Sequence, residues 1–303
     1  MDSESFTAHF ERCSNWGRWG PEDERGTLNL ITAERTKRAA DLVRDGATVS
    51  CALPLDTVAS VENARPATHL MLRAGDVADV TSHSSTSDYI AVASHGFAHS
   101  HIDALCHFQW RATGYNGRPA GVVLSTGATK NAVTIGQTGI VTRGVLLDVA
   151  RARGVEWLEP GTAITRDDLT GAETAERTRV GEGDVLLVRT GRHRRRAVHG
   201  PWDLFEKVAG LRYECAGWIK ERGVALLGCD GISDVVPSGL DAVRLPMHVL
   251  CLVAMGMQLL DNLDLDALAA ACAERERWEF LLAIAPLRIE GGTASPVNPI
   301  AVF

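Results

Sequence analysis

Residues 144–150, 183–190 and 224–230 are apolar runs of strand length, each punctuated by glycine (Gly144, Gly183, Gly191, Gly228). None alternates between apolar and polar as a sheet with one wet face would, so each predicts a strand covered on both sides. Shorter segments at 49–55, closed by Pro54, and at 89–94, 257–263 and 280–289 also read as strands. Between them the apolar period lengthens to that of a helix. Thr32 can cap a helix running to about Arg44, where Asp45-Gly46 ends it. Thr165 opens a second helix, residues 206–222 and 264–277 give two more, and residues 249–255 are apolar enough for a fully buried helix broken by Gly256. Strands alternating with helices predict an α/β fold. The polar stretches 59–69, 113–119 (with the turn signal Asn116-Gly117) and 293–299 read as loops. No repeat, low-complexity tract or linker divides the chain, so a single domain spanning 1–303 is the simplest account, with 1–31 as an ordered N-terminal arm.

Composition narrows the function. A chain of 303 residues with 45% hydrophobic content can bury a large core. Its net charge of −7 argues against a nucleic-acid partner. The one basic run, Arg192 to Arg196, reads as a solvated loop or an oligomer contact. Seven cysteines lie singly with no CxxC, the usage of a reduced, cytoplasmic protein. The stretch Met1 to Arg12 is polar, unlike a signal peptide, and no apolar run reaches the roughly 18 residues a spanning helix needs, so no membrane partner is expected.

Four of the ten histidines and an aspartate fall within residues 95–107. His99, His101 and Asp103 alternate with small or apolar residues, so on an extended strand they share one face, and residues two apart can converge on one ion. Imidazole and carboxylate without thiolate is a donor set for Zn²⁺, Mn²⁺ or Fe²⁺. His95 and His107 would lie about 40 Å apart on a straight strand, so the chain must bend for either to join. Cys106 has the opposite parity and reads as packing. Asp230, at the end of a predicted strand, is a candidate to orient an imidazole. A serine hydrolase is disfavoured, because Ser125 lacks the first glycine of a Gly-x-Ser-x-Gly elbow.

These residues resemble the metal-dependent cyclase family that includes bacterial kynurenine formamidase and isatin hydrolase. Its motif is His-x-Gly-Thr-His-x-Asp-x-Pro-x-His. His101, Asp103 and His107 match the second half, with Leu105 in place of the proline. Without a gap the first ligand falls on Phe97, which cannot coordinate. The alternatives are His95 and His99, and His95 is preferred because His95-Gly96 supplies the motif's His and Gly if the strand is bulged. Trp16 to Gly20, Gly26 to Asn29, Tyr115-Asn116-Gly117, Pro246-Met247-His248 and Asp261-Asn262-Leu263 extend the likeness, with Asp261 one methylene shorter than the family's Glu.

The resemblance implies a mixed, β-barrel-like core with flanking helices, a swivelling β/β/α fold of the kynurenine formamidase type, assembled as a homodimer or homotetramer. It implies Mn²⁺ or Zn²⁺ held by His95, His101, Asp103, His248 and Asp261, with His107 as general acid and base and His99 in reserve for either role. The expected reaction is hydrolysis of a small amide, lactam, lactone or cyclic ketone, or cyclisation or dehydration at the same centre. Trp16, Trp19, Phe97, Trp110 and Tyr115 are the candidate walls of a pocket for a small, mainly apolar substrate.

Overall fold

The predicted apolar runs become the centre of one sheet. In the computed structural model, which describes residues 3–76 and 83–303, nine strands are paired in the order Thr48–Ser50, Ile300–Val302, Glu279–Ile284, Ile140–Asp148, Val185–Arg189, Leu226–Cys229, Leu259–Asp261, His101–Asp103 and Ala294–Pro296. The four strands from Ile140–Asp148 to Leu259–Asp261 run parallel, and every strand outside them pairs antiparallel. The sheet is mixed and curls into a half-barrel with helices against it. Its central strands are buried on both faces. Val145, Leu147, Leu186 and Val188 enter one apolar cluster, while Leu146, Val185 and Leu187 enter the other. That division is the two-residue period of a strand with helices on both sides, and it explains why these runs lack polar alternation.

The N-terminal arm is a brace. The helix Ser3–Cys13, unread in a polar sequence, buries Phe6, Phe10 and Cys13 at helical spacing; Met1 and Asp2 lie outside the described residues. Beyond it the arm reaches the buried helix at 246–255, whose segment Val249–Met255 is a π-helix ended by Gly256 in the left-handed conformation. The indole of Trp16 donates to the Val253 carbonyl (2.7 Å), Asn15 donates to those of Ala254 (2.9 Å) and Met255 (3.0 Å), and the Thr27 amide donates to that of Gly256 (2.9 Å). A Cβ on Gly26 would run into that same Gly256 carbonyl.

Several elements differ from expectation for identifiable reasons. The helix opened by Thr32 is Ala33–Ala40: the amides of Leu42 and Val43 bond only three residues back, so the helix tightens into a turn before Asp45. The helix expected at 206–222 is Cys215–Arg222, because Gly210–Leu211 pairs in parallel with Ala163–Ile164. Residues 293–299 are not all loop, since Ala294–Pro296 is an edge strand whose proline sits where a missing N–H is tolerated. The strand expected at 89–94 is Ser87–Ala91, hairpinned with Thr68–Arg73 outside the main sheet. Arg192 to Arg196 is no solvated loop but the start of the helix Arg192–His199, with Arg192 buried. Among the described residues, no helix is long and apolar enough to cross a membrane.

Candidate metal centre

Two strands and one helix converge on Asp103. The antiparallel register sets Asp261 opposite His101, and the period of two puts Asp103 on the same face as both, while Ile102 goes into the core behind. His248 arrives from the helix Pro246–His248. His95 arrives from 92–100, which is not strand: Gly96 sits at φ 124°, and the Asn262 amide donates to the carbonyls of Gly96 (2.7 Å) and His99 (3.3 Å). That curl is how His95 joins despite its distance in sequence.

Around the Asp103 carboxylate stand three imidazole nitrogens: His95 Nδ1 at 3.0 Å and His101 Nε2 at 3.4 Å from Oδ1, and His248 Nε2 at 3.7 Å from Oδ2. His248 Nε2 is also 3.4 Å from Asp261 Oδ2. Donors from His95, His101 and Asp103 form one trio and donors from Asp103, His248 and Asp261 another, each with its atoms within 4.8 Å of one another. The far ring nitrogens are fixed. His101 Nδ1 donates to the His99 carbonyl (2.8 Å), and His248 Nδ1 donates to Asp234 (2.6 Å), so in each ring Nε2 faces the cluster. His95 Nε2 lies 3.0 Å from the Thr293 hydroxyl.

The charges are strongly perturbed. Burial works to lower His101, yet Asp103 and then Asp261 push it up to about 9. Burial likewise opposes the charged form of His248, and Asp234 outweighs it. Burial would raise Asp103, but the neighbouring imidazoles, His101 first, hold it well below the usual carboxylate range. His107 goes the other way: burial drives it down to about 4, so it is neutral at pH 7, its ring stacked 3.6 Å from that of His95.

Other expected residues lie elsewhere. His99 turns Nε2 to the Asp56 carbonyl (3.2 Å), away from Asp103, so of the two alternatives it is His95 that stands with His101. Asp230 orients no imidazole; it accepts from the amides of Thr190, Gly191 and Arg192 and anchors that turn. The carboxylate on His248 is Asp234, four residues on at the same strand end, which the sequence reading passed over. Cys106 is buried, its thiol pushed up to about 12 by burial, as packing requires.

His95, 33% exposed against 1–5% for the side chains of His101, Asp103, His248 and Asp261, marks the open side. It lines a cavity of about 410 Å³ together with His99, Phe97 and Phe205. Phe97 is therefore a wall, whereas Tyr115 is fully buried with its hydroxyl donating to Asp23, and lines nothing. Trp110 packs on Phe6, Trp16 on Phe10 and Trp19 against Arg18, all outside that cavity's lining.

The comparisons agree with this architecture. The Cyclase family model matches residues 40–234. A crystal structure of a novel cyclase is 34% identical, superposes with a TM-score of 0.86 and is matched over 96% of this chain and 99% of its own. Isatin hydrolase A from Ralstonia solanacearum (22% identity, TM-score 0.61, 89% of this chain and 96% of that one) shares the fold. So does an isatin hydrolase bound to the product analogue thioisatinate (17%, 0.60, 89% and 98%). No curated protein sequence matches. The chain belongs to the Cyclase family.

Proposed function

We propose that the protein is a metal-dependent hydrolase that opens or cleaves a small amide, lactam, lactone or cyclic ketone. One observation carries this reading. His95 Nδ1, both oxygens of Asp103 and Oδ1 of Asp261 are buried without a hydrogen-bond partner, although three imidazole nitrogens stand 3.0–3.7 Å from the Asp103 oxygens. Buried polar atoms are otherwise paired, because leaving one unmade costs about 1–3 kcal/mol. Three imidazole nitrogens and two carboxylates, in two trios that share Asp103, fit Mn²⁺ or Zn²⁺.

His95, His101, Asp103, His248 and Asp261 would hold the cation, with Asp103 common to both trios. When bound, such an ion supplies Lewis acidity, lowering the pKa of water and polarising a carbonyl. The chain's own residues do the rest. The His99 carbonyl and Asp234 lock the rings of His101 and His248, so that each Nε2 faces the cluster and would give up any proton it carries in order to hold the ion. His107, neutral and half-buried against His95, takes up a proton at a ring nitrogen and returns it to the leaving group. Phe97 and Phe205 keep an apolar body beside the centre.

The likeness to isatin hydrolases supports hydrolysis. The 34% identical cyclase favours a second reading, in which the same centre polarises a carbonyl for ring closure or dehydration. The deciding experiment measures metal content of protein purified without chelator, and turnover of isatin, an N-formyl aromatic amide and simple lactones before and after metal removal. Near-stoichiometric Mn or Zn, with hydrolysis that returns on adding it back, is the expected result. Bound metal without hydrolysis transfers the assignment to ring closure. Absence of metal overturns both.

A further inference from the structure

The wall of the cavity facing His95 is built from residues 61–65, and the way this segment is held sets the chemistry of what can enter. The loop closes on itself at the Asp56 carbonyl, which accepts from the Ala67 amide (2.9 Å), the Asn63 side chain (3.0 Å) and His99 Nε2 (3.2 Å). Glu62 and Asn63 are both buried in it, an unusual place for such residues unless every polar atom is used. Glu62 accepts from Arg196 (2.6 Å), Arg192 (3.3 Å) and the Trp202 amide (3.3 Å). Its negative charge is therefore matched by two guanidiniums.

Three residues beyond Glu62, Arg65 is carried to the same cavity, its backbone restricted by Pro66 behind it. It makes no ion pair and no hydrogen bond among the described residues, so of the two charged groups on this wall it is the one left unmatched. The remaining surface is apolar: Phe97 and Phe205 meet edge to face at 4.7 Å, beside Val61 and Ala64. A cavity lined by these apolar side chains, by His95 and by one exposed, unpaired guanidinium favours a molecule of matching polarity.

We infer that the substrate is a small aromatic or apolar molecule bearing one anionic group, in the simplest case a carboxylate, which Arg65 receives while the reacting carbonyl lies toward His95. The reacting-carbonyl half of this statement rests on the proposed hydrolase reading; the anion half does not. A charge-assisted hydrogen bond of this kind corresponds to a preference of roughly tenfold or more.

The test compares binding of benzoate and benzamide to the protein as purified, by ligand-observed NMR, in wild type, Arg65→Gln and Arg65→Lys. The expected result is a benzoate preference in wild type that falls about tenfold in Arg65→Gln, through benzoate alone, and largely survives in Arg65→Lys. Because any metal contribution to benzoate binding is common to all three proteins, equal preference in wild type and Arg65→Gln overturns the inference, as does equal affinity for the two probes in wild type. A parallel loss of benzamide binding assigns Arg65 a merely structural role and also overturns it. Turnover of 4-acetoxybenzoate and phenyl acetate separates the two readings. Anion preference in binding with isatin, the N-formyl amide, the lactones and both esters all uncleaved sinks the hydrolase alone; cleavage of both esters, with a kcat/KM ratio unmoved by Arg65→Gln, sinks the role of Arg65 alone.

Discussion

Two carboxylates sit on either side of His248, and their surroundings differ. Asp234, on one, accepts from the Met247 amide (2.6 Å), the His248 amide (3.2 Å) and His248 Nδ1 (2.6 Å). Asp103, on the other, is approached by three imidazoles and hydrogen-bonded by none. Both are fully buried, so exposure does not separate them. The difference bears on role: Asp234 is saturated and can only position, whereas the lone pairs of Asp103 are unengaged, as the proposed cation requires. Glu176, remote from either, shows the third fate of a buried carboxylate. With one backbone amide on Oε1 and nothing on Oε2, burial raises it to about 8.

Substituting each carboxylate by its amide puts this contrast under test. Asp103→Asn is expected to abolish metal binding and turnover, a loss well beyond the ~100-fold that an outer partner costs. Elemental analysis checks it, and near-normal metal content would make Asp103 a structural residue. His107→Gln is expected to keep its metal and lose about 10²–10⁴-fold in kcat, measured in the same preparation; unchanged turnover removes His107 from proton transfer. Asp234→Asn should lower metal affinity or activity by about 10–100-fold without abolishing either, because the ring of His248 loses its orientation and not its nitrogen; a loss as large as that of Asp103→Asn would erase the distinction. The smallest effect concerns stability. The folded form of Glu176 binds its proton more tightly than an unfolded carboxyl of 4.5, so its contribution is full below about pH 4.5 and is lost as pH rises through about 8. Glu176→Gln should therefore flatten the fall in Tm between those limits, and an unaltered slope would mean that Glu176 is ionised throughout.

Much of this was legible in the chain. The strands at 144–150, 183–190 and 224–230 were visible because burial on both faces writes itself as uninterrupted apolar residues. His101 and Asp103 were visible because two-residue spacing survives translation into a strand. What failed to show had long-range causes. His95 was preferred over His99 on the strength of Gly96, but what holds the curl that brings it to Asp103 includes the hydrogen bonds of Asn262, some 160 residues away. Asp230 and Asp234 are equally good candidates in a strand-end turn, and the choice is made by where the helix carrying His248 docks. The burial of Arg192 was hidden because a run of five basic residues looks solvated until Glu62 and Asn262 are brought to it.

The brace between the N-terminal arm and the π-helix changes what counts as the centre's periphery. Residues 15–27 contribute no donor atom to the candidate metal centre and lie outside the span matched by the family model, as His248 and Asp261 also do. Yet their amides and the Trp16 indole supply what the carbonyls of Val253 to Gly256 lack, so the far end of the helix that presents His248 is completed by the beginning of the chain. A substitution among residues 15–27 is thus chemically a change made at the candidate metal centre, although some 230 residues lie between the two in the chain.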